Sequence, residues 1–92
     1  MKVNFYATLR RITGTKSVDF LIEAGATIGE LVEMVVEQYP PMRAELLDEE
    51  GQLYGHIHVF INGRDVPLLE KRLDTVLSQE DKIDIFPPVG GG

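Results

Sequence analysis

The chain has 92 residues, 43% of them hydrophobic and 26% charged, a size and balance that suit one globular domain and leave no room for a second. With no cysteine it has no disulfides, thiolate metal sites or cysteine nucleophile, so any sulfur chemistry must use sulfur brought from elsewhere. The net charge of −6 argues against nucleic acid as a direct partner; no apolar run is long enough to span a bilayer, and Met1 leads into an alternating strand instead of a signal peptide, so a soluble, cytoplasmic protein is expected.

Lys2 to Leu9 alternates, with Val3, Phe5 and Ala7 on one face and Asn4, Tyr6 and Thr8 on the other, which predicts a strand. Thr13 and Gly14 supply a turn, and Ser17 to Ile22 reads as a second strand with Val18 and Phe20 inward, giving an N-terminal hairpin. Thr27 to Glu30 fits a capping box, and Ile28, Leu31, Val32, Val35, Val36 and Tyr39 follow at helical spacing until Pro40 and Pro41 stop them. The aliphatic stripe is core, laid across one face of a sheet.

Met42 to Leu47 allows one or two further helical turns with Pro41 at the first helical position, and Asp48, Glu49, Glu50 and Gly51 form a polar turn. These acids lack the ligand spacing of a calcium loop. Residues 23–50 hold eight acids against Arg43, a balance of −7, whereas residues 1–22 balance at +3, so the helical side is acidic and suited to basic partners or to solvation.

His56 to Asn62 alternates again, with Ile57, Val59 and Ile61 on one face and His56, His58 and Phe60 on the other. The two histidines would share a face, but no third ligand accompanies them, so no metal is assigned. Asn62 and Gly63 make a hairpin turn into Arg64, Asp65 and Val66; Leu68, Leu69 and Leu73 pack a short crossover. Lys82 to Phe86 is the last alternating strand.

Pro87 ends that strand, and Pro88 holds the chain extended. After Val89, three residues without a Cβ (Gly90, Gly91 and Gly92) make a thin end. From Pro87 to Gly92 a fully extended tail reaches about 20 Å, at roughly 3.3 Å per residue, enough to enter a buried site in another protein. The expected organisation is a domain over residues 1–86 and an extended tail over 87–92.

Strand, strand, helix, strand, short strand, strand is the β-grasp (ubiquitin-like) order, an α+β fold with a mixed sheet and one long helix packed on one face. That helix leaves the sheet's other face uncovered, and Tyr6, Phe60 and Phe86 fall on it. Three aromatic side chains there are costly in water unless a partner docks.

VNFYATLRRITG (Val3 to Gly14), VFINGRDV (Val59 to Val66) and LDTVLSQEDKIDIFPPVGGG (Leu73 to Gly92) resemble the ubiquitin-like sulfur carriers of the MoaD/ThiS type, above all the small subunit of molybdopterin synthase, nearly end to end. The resemblance implies that the chain is no enzyme alone and binds no cofactor itself. It further implies that Gly92, with Gly91 beside it, is the reacting end, its carboxylate adenylated by an ATP-using enzyme of the ubiquitin-activating kind and then converted to a thiocarboxylate by a sulfur donor. The large synthase subunit would supply the catalytic pocket. Tyr6, Phe60, Phe86, Pro87, Pro88, Val89 and Gly90 would make the partner surface, rimmed by Arg10, Arg11, Lys71 and Arg72 where these are not simply solubilising charge. Two departures, a third glycine at Gly90 and a long acidic stretch from Pro40 to His56, keep open a protein modifier or tRNA-thiolation carrier of archaeal type. A plain interaction module whose tail does no chemistry is the third reading.

Overall fold

Antiparallel pairing joins β1 (Lys2–Phe5) to β2 (Ser17–Asp19), and β1 also runs parallel to β5 (Ile83–Phe86). On its other side β5 pairs antiparallel with β3 (His58–Ile61), which pairs with β4 (Arg64–Asp65). The computed structural model describes residues 1–65 and 73–87, together with only the backbone of residue 72. The resulting sheet order, β2-β1-β5-β3-β4, places the parallel β1–β5 pair at its centre, the β-grasp arrangement.

The capping box is formed as the sequence requires: Glu30 N–H donates to Thr27 Oγ1 at 3.2 Å, and Thr27 N–H donates to Glu30 Oε1 at 3.2 Å. It opens α2 (Ile28–Gln38), whose Ile28, Leu31, Val32, Val35 and Val36 are buried against Val3, Phe5, Val59, Ile83 and Ile85 in one core. A 3-10 turn at Arg72–Asp74 packs on the first turn of α2 so closely that a Cβ on Gly29 would stand 3.2 Å from the Leu73 carbonyl oxygen. The half-buried Leu73 joins the core as the crossover reading required; Val66, Leu68 and Leu69 lie outside the described residues.

The N-terminal hairpin is the principal correction. The strand ends at Phe5, and the β1–β2 connector is a helical turn, α1 (Thr8–Thr13), ended by Gly14 at φ 76°. The expected inward Ala7 is exposed and sits at φ 52°, ψ −126°, where it reverses the chain into α1. Leu9, on the Val3–Phe5 side of either periodicity, is fully buried, and Ile12 packs beside it three residues on, so the core takes the helical spacing. β2 stops at Asp19, short of the expected Ile22; Val18 within it is half-buried and Phe20 just beyond it is buried, so the inward positions are as expected.

The acidic segment also closes over the core. α3 (Met42–Leu46) buries Met42 and Leu46 one turn apart, with Pro41 just ahead of its first turn. Asp48 Oδ1 accepts from the Glu50 and Gln52 amides at 2.8 and 3.0 Å, Gly51 adopts φ 80°, and the Leu47–Leu53 bridge seals the loop. The Asp48 carboxylate therefore organises the turn. Asn62 and Gly63 carry φ 52° and 85°, the left-handed pair that a tight β3–β4 hairpin needs.

Candidate functional site

β1, β5 and β3 present their second side chains on the face that α2 leaves open. Register pairs Asn4 with Asp84 and Asp84 with Phe60, while His58 lies opposite Phe86, so alternation alone gathers these groups from distant parts of the chain. Tyr6 and Phe86 stack at 4.1 Å between ring centroids and 11° between planes, and Phe60 meets Phe86 edge-on at 5.4 Å and 68°. All three rings are half-buried and the cluster stays open to solvent on one side. A cleft of about 300 Å³ opens beside it, lined by His58, Phe60, Asp65 and Phe86.

A polar network holds the stack in place. Tyr6 Oη donates to Asp84 Oδ1 at 2.8 Å, Asn4 Nδ2 donates to the same oxygen at 2.9 Å, and Ser17 Oγ donates to Asn4 Oδ1. The acceptor carboxylate of Asp84 holds the Tyr6 phenol above its ordinary pKa, and desolvation pushes the same way; Arg10 opposes both. The Arg10 guanidinium lies 5.8 Å from the Tyr6 ring centroid and donates from Nε to the Phe5 carbonyl at 3.3 Å, so this cation is placed at the stack.

The predicted trio of Tyr6, Phe60 and Phe86 is thus brought together. Pro87 is buried beside it; Pro88, Val89, Gly90, Gly91 and Gly92 lie outside the described residues, as does Lys71 and the side chain of Arg72. His56 and His58 are both exposed, on either side of the buried Ile57, and each ring has its own partner. His56 precedes β3 and stacks on Tyr54 at 4.9 Å, whereas His58 Nδ1–H donates to Asp65 Oδ2 at 3.1 Å, the carboxylate being able only to accept. Among the described residues no three His, Asp or Glu side chains are grouped to hold a metal ion, and no helix is long and apolar enough to cross a membrane. Sequence reading missed Asn4, Ser17 and Asp84. Their outward position in the alternating strands was the available signal, but their mutual bonding depends on strand register.

A profile of the ThiS family matches residues 3–92. Small archaeal modifier protein 3 of Haloferax volcanii is 33% identical over 92 residues, covering 100% of this chain and 98% of the relative. The crystal structure of SAMP1 from Haloferax volcanii superposes with a TM-score of 0.85 at 27% identity, over 99% of this chain and 97% of that one. A chain in the crystal structure of the Amycolatopsis orientalis BexX/CysO complex gives a TM-score of 0.82 at 33% identity, over 99% and 98% of the two chains.

Proposed function

The chain belongs to the ThiS family, and on that premise we propose that it is a cytoplasmic ubiquitin-like carrier of the small-archaeal-modifier kind, reacting through the carboxylate of Gly92. The observation that carries this is the position of the end of β5: Phe86, its last residue, sits in the uncovered aromatic stack, the buried Pro87 follows it, and Gly90, Gly91 and Gly92 are only a few residues further along the sequence. A surface that docks a partner leads directly into the segment that would enter it.

An α-carboxyl group, with an ordinary pKa of about 3.5, is an anion at neutral pH and a poor electrophile. In a partner adenylating enzyme, a Gly92 carboxylate oxygen attacks the α-phosphorus of ATP and expels pyrophosphate, leaving an acyl adenylate. Hydrosulfide delivered by the sulfur donor then attacks the acyl carbon, AMP leaves and the S–H proton is lost, giving the thiocarboxylate; a lysine amine attacking the same carbon, again with loss of AMP, yields a protein conjugate. This chain contributes the docking face, the tail and the reacting carbon, and catalysis belongs to the partners. Gly91 and Gly92 would let the tip of the tail pass between close walls, since only glycine keeps both small cross-section and free φ.

The 33% identity to a small archaeal modifier across the full chain favours the modifier and carrier reading over the narrower assignment as small subunit of molybdopterin synthase. That assignment keeps as its support the VFINGRDV and IFPPVGGG stretches, and it uses the same activated end. ATP–pyrophosphate exchange with the cognate activating enzyme tests the shared chemistry. Wild type and Gly90→Ala should exchange, Gly91→Ala should be impaired, and deletion of Gly92 should be inactive with unchanged thermal stability. Full exchange by the deletion would sink the carrier reading in favour of a plain interaction module. Mass spectrometry of the chain from its native cell separates the branches: a gain of about 16 Da marks oxygen replaced by sulfur, whereas lysine conjugates mark modification.

A further inference from the structure

A second surface, sharing no residue with the aromatic stack, lies between the free edge of β2 and α2. Phe20 both donates to and accepts from Met1, with its N–H on Met1 O at 2.8 Å and its carbonyl receiving the Met1 amine at 2.8 Å. In an antiparallel ladder the neighbours of such a residue turn their backbone groups the other way, so Asp19 and Leu21 point their N–H and C=O groups outward from the sheet. Leu21 is 85% exposed, a large apolar side chain left in water beside an edge that no other described strand pairs. Ile22, two residues on from Phe20, turns its carbonyl to the inner side, where Gln79 Nε2 donates to it at 3.0 Å.

Beside this edge runs a groove of about 430 Å³, lined by Leu21, Ile22, Ala26 and Met34 and by the exposed carboxylates of Glu23, Glu30 and Glu33. Glu30 is partly committed to the capping box, and Arg43 reaches Glu33 at 3.5 Å with both side chains exposed, a pair weak enough to be exchanged for a better one. Glu23 extends the same acidic rim. We propose that this groove docks an extended segment of a partner protein that adds a strand to β2 at Asp19 and Leu21, seats an apolar side chain between Leu21 and Met34, and places lysine or arginine against Glu23 and Glu33. Main-chain pairing supplies the fit, and the carboxylates choose a basic segment over an acidic one. The chain thereby holds a second partner while its aromatic face and tail are engaged elsewhere.

The test titrates the full-length, isotope-labelled chain with the synthetic peptide acetyl-Lys-Val-Ile-Val-Arg-amide and with the charge-reversed acetyl-Glu-Val-Ile-Val-Glu-amide, followed by NMR. The basic peptide should shift the amides of Asp19, Leu21, Glu33 and Met34, slow hydrogen exchange at the Leu21 amide at least tenfold, and weaken as salt is raised. Leu21→Asp and Glu33→Lys, both at exposed positions, should each weaken binding tenfold or more while retaining wild-type circular dichroism. Equal binding of the acidic peptide, no binding at millimolar concentration, or shifts centred on Tyr6 and Phe86 would overturn the proposal. So would peptide-independent shifts at Leu21 that grow with protein concentration, since these would make a second copy of this chain the occupant.

Discussion

Val59 and Phe60 are neighbours in β3 that face opposite sides of the sheet, and truncating each in turn tests the division between core and docking face. Val59 is 1% exposed in the core, so Val59→Ala loses two buried methyl groups and leaves a small void, costing roughly 2 kcal/mol of stability. Phe60 is half-buried, and Phe60→Ala forfeits mainly its edge-on contact with Phe86 at 5.4 Å, about 1 kcal/mol, while the Tyr6–Phe86 stack survives. In a domain of this size each kcal/mol moves Tm by about 4–8 °C, so Val59→Ala should melt roughly 8–16 °C below wild type and Phe60→Ala about 4–8 °C below. Partner binding should rank them the other way. An aromatic anchor at the centre of an interface commonly costs about 2 kcal/mol or more on truncation, roughly 30-fold in affinity, whereas the folded fraction of Val59→Ala presents an unchanged face. Urea unfolding followed by circular dichroism gives the stabilities, and the apparent KM for the chain in pyrophosphate exchange reports docking. If Phe60→Ala proves the less stable variant and its KM is that of wild type, the assignment of faces is refuted.

Ala7 occupies φ 52°, ψ −126°, a region costly for a residue with a Cβ, and Leu9 N–H donates to the Tyr6 carbonyl at 3.1 Å across that turn. Ala7→Gly should therefore stabilise the fold by about 1 kcal/mol, after the loss to unfolded-chain freedom, and raise Tm by a few degrees; a lower Tm would show that the turn is not strained. The raised Tyr6 pKa fixes the sign of a pH effect: the contribution is fully present below the ordinary tyrosine value near 10 and is lost as pH rises through the higher folded value. The tyrosinate absorbance difference between wild type and Tyr6→Phe should have its midpoint above 10, and Tyr6→Phe should flatten the fall in stability there; a midpoint below 10 would break the link to Asp84.

Much of this protein is local and was therefore open to reading from the sequence. The capping box at Thr27 and Glu30, the helical stripe from Ile28 to Val36, the Asn62–Gly63 hairpin and the alternation of β3 and β5 each depend on residues a few positions apart. Alternation also sufficed to place Tyr6, Phe60 and Phe86 on the uncovered face, because side-chain direction in a strand follows residue parity. What the sequence left undetermined depends on residues far apart in the chain. Val3, Phe5, Ala7 and Leu9 fit a strand as well as Leu9 and Ile12 fit a helix, and only the core that receives Leu9 chooses between them. Asp84 becomes the acceptor for Asn4 and Tyr6 through the β1–β5 register, across 80 and 78 residues of chain. The groove beside Leu21 likewise exists only because β2 is an edge strand and α2 packs alongside it. Sequence by itself determined the elements whose patterns are local and the faces they present; tertiary structure decided the choice between strand and helix after Phe5 and which faces meet, since hydrogen-bonded register and core packing couple residues that no local pattern connects.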